Sequence, residues 1–189
     1  ALGVVDKDTL DRSRHIMERV RATPEERRVV LPARKAASEA SKNGKGNEGV
    51  FCGAALELPD GTLITGKNSP LMHAASSLIL NATKHLAGLP DSMYLLPQSL
   101  IDSVTYLKKD ILEGRMVSLD VDETLIVLGI SALSNPAAQM ALENLKQLRN
   151  CEVHLTHIPS PGDEAGLRKL RVNLTCDPEF SGKNLFVNG

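Results

Sequence analysis

Apolar positions at helical spacing dominate the first forty residues of the chain. Those after Asp8, a good N-cap residue, predict a helix over about 9–22. Thr23-Pro24-Glu25-Glu26 carries a Thr cap, an early Pro and a Glu in capping-box register, so it predicts a second helix start. Val29-Val30-Leu31 precedes a proline, which favours an extended segment before an Ala-rich helix over about 32–42.

The clearest local pattern is that of a β-hairpin. Two runs rich in apolar and β-forming residues, 51–58 and 62–66, flank the turn sequence Pro59-Asp60-Gly61. Gly61 supplies the positive φ that such a turn needs. The hairpin follows a glycine-rich loop over residues 43–49.

Beyond the hairpin, helical periods alternate with short apolar runs. Helices are predicted over about 71–87, 98–112, 121–134, 135–148 and 162–169, and strands over 92–96, 152–158 and 171–175. A hairpin that feeds strands joined by crossover helices indicates an α/β fold, a three-layer mixed β-sheet covered by helices. We expect residues 1–23 to be a helix or linker from a preceding region, and 24–189 to be one domain with a helical insertion at about 98–134.

Length and charge narrow the function classes. The 189 residues suffice for one good core, and the net charge of −1 gives no basic surface for nucleic acid or an anionic membrane. Three widely spaced cysteines, an odd number, favour a reducing cytoplasm over a disulfide framework. The start at Ala1 without a Met predicts a fragment or a processed chain.

The order of Ala-rich helix, glycine-turn hairpin and following helix resembles the core of the cytidine deaminase superfamily. Gly53-Ala54-Ala55 and Gly66-Lys67-Asn68 are similar to segments of that core. In such enzymes the next helix starts His-Ala-Glu or Cys-Ala-Glu and a later one starts Pro-Cys-x-x-Cys, which supplies three zinc ligands and a proton-moving Glu. Here the matching sequences are His73-Ala74-Ala75 and Pro136-Ala137-Ala138-Gln139-Met140, which lack the Glu and both thiolates. The resemblance therefore implies a zinc-free deaminase-like fold, and we expect no metal, no cofactor and no hydrolytic deamination.

A second resemblance covers nearly the whole chain. Several short stretches of sequence, in the same order, are similar to the C-terminal part of a bacterial family of unknown function, the DUF 1846 family. They are Val29–Arg34, Glu57–Thr62, Thr65–Lys67, Asn135-Pro136, Cys151–His154 and Val172–Cys176. This resemblance implies a partner in the preceding N-terminal α/β region of the same protein. It brings no established activity and no accepted functional residues.

The stretch Leu119–Leu125 resembles the nucleophile loop of haloacid-dehalogenase phosphatases, in which Asp120 would attack phosphorus and Asp122 would act as acid or base. That fold needs several further parallel strands, a Lys and a distal acid pair, whereas only two predicted strands follow here. Asp120 fits better as an N-cap, with Glu123 closing a capping box and Asp122 at the positive end of the helix.

Histidines and cysteines show no chelating spacing. His154 and His157 are three apart on a predicted strand and should face opposite sides of the sheet. If the last two strands are parallel, Cys151 and Cys176 lie at opposite ends of the sheet, and Cys52 is expected to be buried in the hairpin. Structural roles for these residues are therefore the simpler interpretation.

Two predicted helices carry no acid in their first turn, one after Lys67-Asn68-Ser69-Pro70 and one after Asn135-Pro136. Free amides and the helix dipole make such ends attractive to anions. In a deaminase-like fold the two ends converge, so the hypothesis is a site for a polar or anionic small molecule; its residues would be Lys67, Asn68, Ser69, His73 and Asn135. The alternative is that Asn68, Ser69 and Asn135 are only caps.

Three functions remain open from the sequence. The first is a binding or assembly module of a larger bacterial protein. The second is part of an enzyme acting on a nucleotide or other phosphorylated small molecule, with its site shared with the N-terminal region. The third is the phosphatase. A homo-oligomer is also left open, while nucleic acid and membrane are not expected as partners.

Overall fold

A four-stranded mixed β-sheet forms the centre of the structure, a computed structural model that describes residues 5–181. The strands are β1 Gly53–Glu57, β2 Leu63–Lys67, β3 Glu152–Leu155 and β4 Asn173–Cys176, and their order in the sheet is β2-β1-β3-β4. β1 runs antiparallel to both β2 and β3, whereas β3 and β4 are parallel. The predicted hairpin is confirmed, and Gly61 has the expected positive φ of 84°.

Seven α-helices lie within residues 5–181. They are α1 Lys7–Val20, α2 Val30–Lys42, α3 Ala74–Leu86, α4 Gln98–Tyr106, α5 Val121–Ser131, α6 Pro136–Asn144 and α7 Pro161–Lys169. A π-helical turn, Leu107–Ile111, continues α4, and a 3-10 turn, Leu145–Leu148, continues α6. The fold is therefore α/β with a mixed sheet, as predicted. Within the described part of the chain, no helix has the length and apolar character needed to cross a membrane.

Small residues allow helices to lie directly on both faces of the sheet. A Cβ atom added to Gly53 would come within 2.2 Å of the Ala33 carbonyl oxygen in α2. A Cβ atom added to Gly66 would come within 2.4 Å of the Ala74 oxygen in α3. Since successive residues of a strand point to opposite faces, α2 covers one face and α3 covers the other. The three-layer arrangement follows.

The main core lies between the sheet and α3. Buried Leu56, Val153 and Leu155 of the sheet meet Leu78 and Ile79 of α3 in one apolar cluster. A second cluster joins α3 to the helices that follow it and contains Leu80, Leu95, Leu96, Ile101, Leu119, Val127, Leu128, Ala138 and Ala141. Helices α4, α5 and α6 therefore pack against α3 through this cluster.

The segment Val29-Val30-Leu31 is not extended, because α2 begins at Val30. Val29 and Val30 are buried, and Val29 packs with Ala55 of the sheet, so burial overrides the bias that a following proline imposes. Pro32 is tolerated as the third helical residue, where its missing N–H would have no partner within the helix. The start predicted at Thr23 gives only one 3-10 turn, Pro24–Glu26, without a side-chain cap.

The strand predicted over residues 92–96 is also absent from the sheet. The stretch is irregular, and Leu95 and Leu96 are buried against helices in the second cluster. A short apolar run reports burial but does not reveal whether a sheet or helices bury it. The flanking Pro90 and Pro97 further limit regular structure here.

Candidate functional site at the His73–Asp163 pair

The N-terminal ends of helices α3, α5 and α7 lie close together. The backbone amide of His73, the residue before α3, donates to the Leu119 oxygen at 2.9 Å. The amide of Val121, the first residue of α5, donates to Oδ1 of Asp163 in α7 at 3.1 Å. The positive dipole ends of three helices therefore meet around one carboxylate.

Asp163 lies at the centre of this meeting point and is fully buried. Its Oδ2 accepts a hydrogen bond from Ser160 Oγ at 2.8 Å and lies 2.7 Å from Nδ1 of His73. With the Val121 amide, three donors surround the carboxylate. Such donors compensate the cost of burying a charge, which would otherwise be prohibitive.

His73 and Asp163 hold each other in their charged forms. Burial by itself lowers the pKa of His73, but the hydrogen bond and the charge of Asp163 outweigh it and raise that pKa above its usual value. Burial likewise raises the pKa of Asp163, and the hydrogen bond and charge of His73 outweigh it, so the pKa of Asp163 is lowered. Nδ1 of His73 therefore carries a proton and donates a hydrogen bond to the carboxylate.

Two imidazole nitrogens at this site have no hydrogen-bond partner within residues 5–181. They are Nε2 of His73 and Nδ1 of His157, and both atoms are buried. His73 also leaves α3 without a side-chain cap, whereas the side chains of Asp120, Asn135 and Ser160 cap α5, α6 and α7. The start of α3 thus combines an uncapped helix end with unpaired polar atoms.

Cys52 and His157 border the pair from the sheet. The Thr156 amide donates to the Gly53 oxygen, which places His157, just after β3, beside Cys52, just before β1. Burial raises the pKa of the Cys52 thiol to about 12, and the charge of Asp163 adds to the effect. Cys52 is therefore a neutral, inert thiol at physiological pH. The predicted burial of Cys52 is confirmed.

Burial of His157 is expected to make the fold less stable in acid. Burial lowers its pKa from 6.5 to about 4. Below about pH 6.5 His157 therefore binds a proton in the unfolded chain but stays neutral in the folded chain. Linkage predicts that this histidine lowers the free energy of unfolding by about 2 kcal/mol between pH 7 and pH 5. The raised pKa of His73 acts in the opposite direction, adding stability as the pH falls through its folded value.

The His157→Gln variant separates these contributions. Urea unfolding at pH 7 and pH 5 should show that the variant loses about 1–2 kcal/mol less than the wild type over this interval. Equal losses in the two proteins would contradict the buried, unpaired state of His157.

Asp120 stands beside the pair as the cap of α5. Its Oδ1 accepts from the Glu123 amide at 2.9 Å, and Glu123 Oε2 accepts from the Asp120 amide at 3.0 Å, which confirms the predicted capping box. Burial raises the pKa of Asp120. Asp122 pairs with Lys169 at 2.8 Å, and only β3 and β4 follow within the described residues. The phosphatase interpretation gains no support from this geometry.

The other predicted ligand-binding residues have local partners of their own. Asn68 Oδ1 accepts from the Cys52 amide, and Ser69 Oγ accepts from the amides of Leu71 and Met72. Asn135 Oδ1 accepts from the amides of Ala137 and Ala138 at the start of α6. Asn135 is therefore a helix cap, as in the simpler alternative, whereas Ser69 makes turn contacts and Asn68 holds the segment before β1.

Lys67 differs from them because it lines a groove. The groove has a volume of about 400 Å³ and lies between the end of β2, residues 71–72 before α3, the middle and last turns of α3 and the segment 93–98. Its polar side chains include Thr65, Lys67, Ser77, Asn81, Lys84 and Gln98. Lys67 Nζ also pairs with Glu39 Oε2 of α2 at 2.9 Å. His73 and Asn135 are not among the lining residues, so the five predicted residues do not form one contact set.

The sequence did not identify Asp163 as the partner of His73. The two residues are 90 positions apart, and no spacing rule joins them. The available signal was Ser160-Pro161-Gly162-Asp163, a capping pattern that places an acid in the first turn of α7. Among the described residues, no group of three or more His, Cys, Asp or Glu side chains is placed to hold a metal ion.

Comparisons with known proteins identify the family. A UPF0371 protein of Clostridioides difficile (strain 630) is 43% identical over 187 residues, which cover 98% of this chain and 37% of that relative. UPF0371 proteins of Clostridium botulinum (strain Alaska E43 / Type E3) and Clostridium tetani (strain Massachusetts / E88) are 42% and 40% identical, each over 186 residues, with the same coverage. The chain thus spans 37% of the length of these relatives. The family model described as "Domain of unknown function DUF1846, C-terminal" matches residues 25–186, and the chain belongs to this family.

Proposed function

We propose that this chain is a binding and assembly domain of a longer bacterial protein, and that it takes a polar or anionic small molecule beside the start of α3. The observation that carries the proposal is the uncapped end of α3, where the buried Nε2 of His73 has no partner within residues 5–181. The neighbouring groove is lined by Lys67 and Lys84, by further polar side chains and by apolar ones such as Leu80. Such a mixture of polar and apolar groups is typical of small-molecule sites.

The proposed fold for this domain is a zinc-free version of the deaminase-like layout. Its support is the order of α2, the hairpin and α3, with α2 and α3 on opposite sheet faces and His73 directly before α3. The residues present do not fit zinc, since buried Ala75 stands where the proton-moving Glu would be, and α6 carries Ala137 and Met140 in place of thiolates. The domain would therefore bind without metal chemistry.

A second candidate is an enzyme that acts on a nucleotide or another phosphorylated small molecule, with its site completed by the N-terminal region. One observation favours it: buried Asp163 fixes the His73 ring through Nδ1, which leaves Nε2 without a partner within residues 5–181. An imidazole oriented in this way is the usual form of a general acid or base. Turnover by the full-length protein that falls at least about 100-fold in His73→Gln would support this role.

Ligand binding is tested by thermal shift with AMP, ribose 5-phosphate and inorganic phosphate, on this chain and on the full-length protein. A ligand at about 100 times its Kd adds about 2.7 kcal/mol of stability, which is readily measured. The Lys67→Ala variant should weaken binding about 10- to 100-fold, because one charge-assisted hydrogen bond contributes roughly 1.5–3 kcal/mol. Lys67→Ala combined with His73→Ala should weaken it further.

Lys35→Ala is the matched control for Lys67→Ala. Both lysines reach Glu39, but Lys35 has 78% of its side chain exposed and does not line the groove. The Lys35→Ala variant should bind the ligand with the same affinity as the wild type. Unchanged affinity in the Lys67 and His73 variants would refute the site, and a shift seen only in the full-length protein would place the ligand outside this domain.

A further inference from the structure

Helix α5 carries no charged side chain beyond its first turn, yet one side of it is exposed. Val121, Val127 and Leu128 are buried in the two core clusters. On the opposite side Ile126 is 64% exposed and Ile130 is 48% exposed. A helix with apolar residues on all sides is normally buried on all sides.

The exposed side forms a continuous row, which we name the α5 stripe: Ile126, Ile130 and Leu133. The spacing of four and three residues places these side chains above one another, and Leu133, just after the helix, is 86% exposed. The sequence 124–134 contains no charged residue. Scattered exposed aliphatic residues are ordinary, but an uncharged row of three at helical spacing marks a contact surface.

Neighbouring elements extend the apolar character around the stripe. Lys108 Nζ donates to Glu123 Oε2 at 2.8 Å, which fastens the π-helical turn to the start of α5. That turn exposes Leu107 and Ile111, and α6, which packs on α5, exposes Met140. The elements that flank α5 therefore also expose apolar side chains.

We propose that the α5 stripe docks against the part of the full-length protein that lies outside this chain, which extends the assembly role proposed above. The relatives indicate this docking partner, because the matched stretch covers only 37% of their length and the matching family model describes a C-terminal domain. An uncharged apolar surface offers no electrostatic guidance to a freely diffusing partner. It suits a permanent contact with a region of the same polypeptide, where the effective concentration is high.

Cysteine labelling of the full-length protein tests this docking. Leu133→Cys is made in a Cys176→Ser background, since Cys176 is the exposed native thiol among the described residues, while Cys52 and Cys151 are buried. Maleimide should label position 133 at least about tenfold more slowly in the native protein than after unfolding in urea. The control is Lys35→Cys on α2, where the native side chain is 78% exposed and labelling should be fast in both states.

The outcomes separate the occupants of the stripe. Protection at position 133 that does not change with protein concentration supports docking within one polypeptide. Native labelling as fast as at position 35 would overturn the proposal, and so would protection that grows with protein concentration, which indicates a second copy. Ile126→Cys repeats the test if Leu133→Cys fails to fold. Thermal shift by a small ligand does not enter this experiment, so failure of the ligand site and failure of the docking surface remain distinguishable.

Discussion

Replacing Asp163 with Asn is expected to destabilise the chain by about 3–5 kcal/mol, the cost typical of breaking a buried ion pair by removing one partner. The carboxylate accepts from the Val121 amide, Ser160 Oγ and His73 Nδ1, and it is completely inaccessible to solvent. An amide group cannot accept all of these bonds, and its own N–H₂ would face donors. Because the carboxylate connects α3, α5 and α7, its loss should loosen the start of all three helices.

Urea unfolding at pH 6 measures this cost, and Glu164→Gln is the matched control. Glu164 is the next residue in α7, and its carboxylate pairs with Arg168 on the surface. Exposed pairs of this kind contribute about 0–1 kcal/mol, so the control should unfold close to the wild type. An Asp163→Asn variant as stable as the Glu164→Gln variant would contradict the central position of the buried carboxylate.

Replacing Gly66 with Ala should cost at least about 1–3 kcal/mol, because the added methyl group has no space. Its Cβ would lie 2.4 Å from both the Ala74 oxygen and the Leu78 nitrogen, and these atoms belong to the backbone of α3. Backbone atoms cannot rotate away, so α3 would have to move off the sheet. The same shift would displace His73 from Asp163, so a ligand at the start of α3 should also bind more weakly.

Gly129→Ala is the control for this substitution. Gly129 lies inside α5, and nothing lies within 4 Å of the position that its Cβ would take. Alanine is the better helix former, so this variant should be more stable by about 0.5–1 kcal/mol. Thermal unfolding of both variants gives the comparison. A Gly66→Ala variant that unfolds at the same temperature as the Gly129→Ala variant would show that α3 does not lie directly on β2.

Local signals account for what the sequence predicted correctly. The turn at Gly61 and the capping box of Asp120 and Glu123 depend on residues within a few positions of one another. Both were therefore readable from spacing alone. The parallel pairing of β3 and β4, with Cys151 and Cys176 at opposite ends, also follows from the helix that connects the two strands.

Long-range packing accounts for what the sequence did not predict. Val29 and Val30 form a helix start because the sheet buries them, which overrides the local effect of Pro32. The pairing of His73 with Asp163 needs the ends of α3 and α7 to meet in space, and no residue pattern records that meeting.

We propose that a polar or anionic small molecule binds at the start of α3, beside His73 and the adjoining groove. The most direct measurement is a titration of the ¹⁵N-labelled chain with AMP, followed by NMR of the backbone amides and the imidazole nitrogens. The largest shifts are expected at Lys67, Ala74 and Ala75, together with a change at Nε2 of His73. Shifts confined to α1 or β4, or no shift at the start of α3 at a saturating concentration, would contradict it.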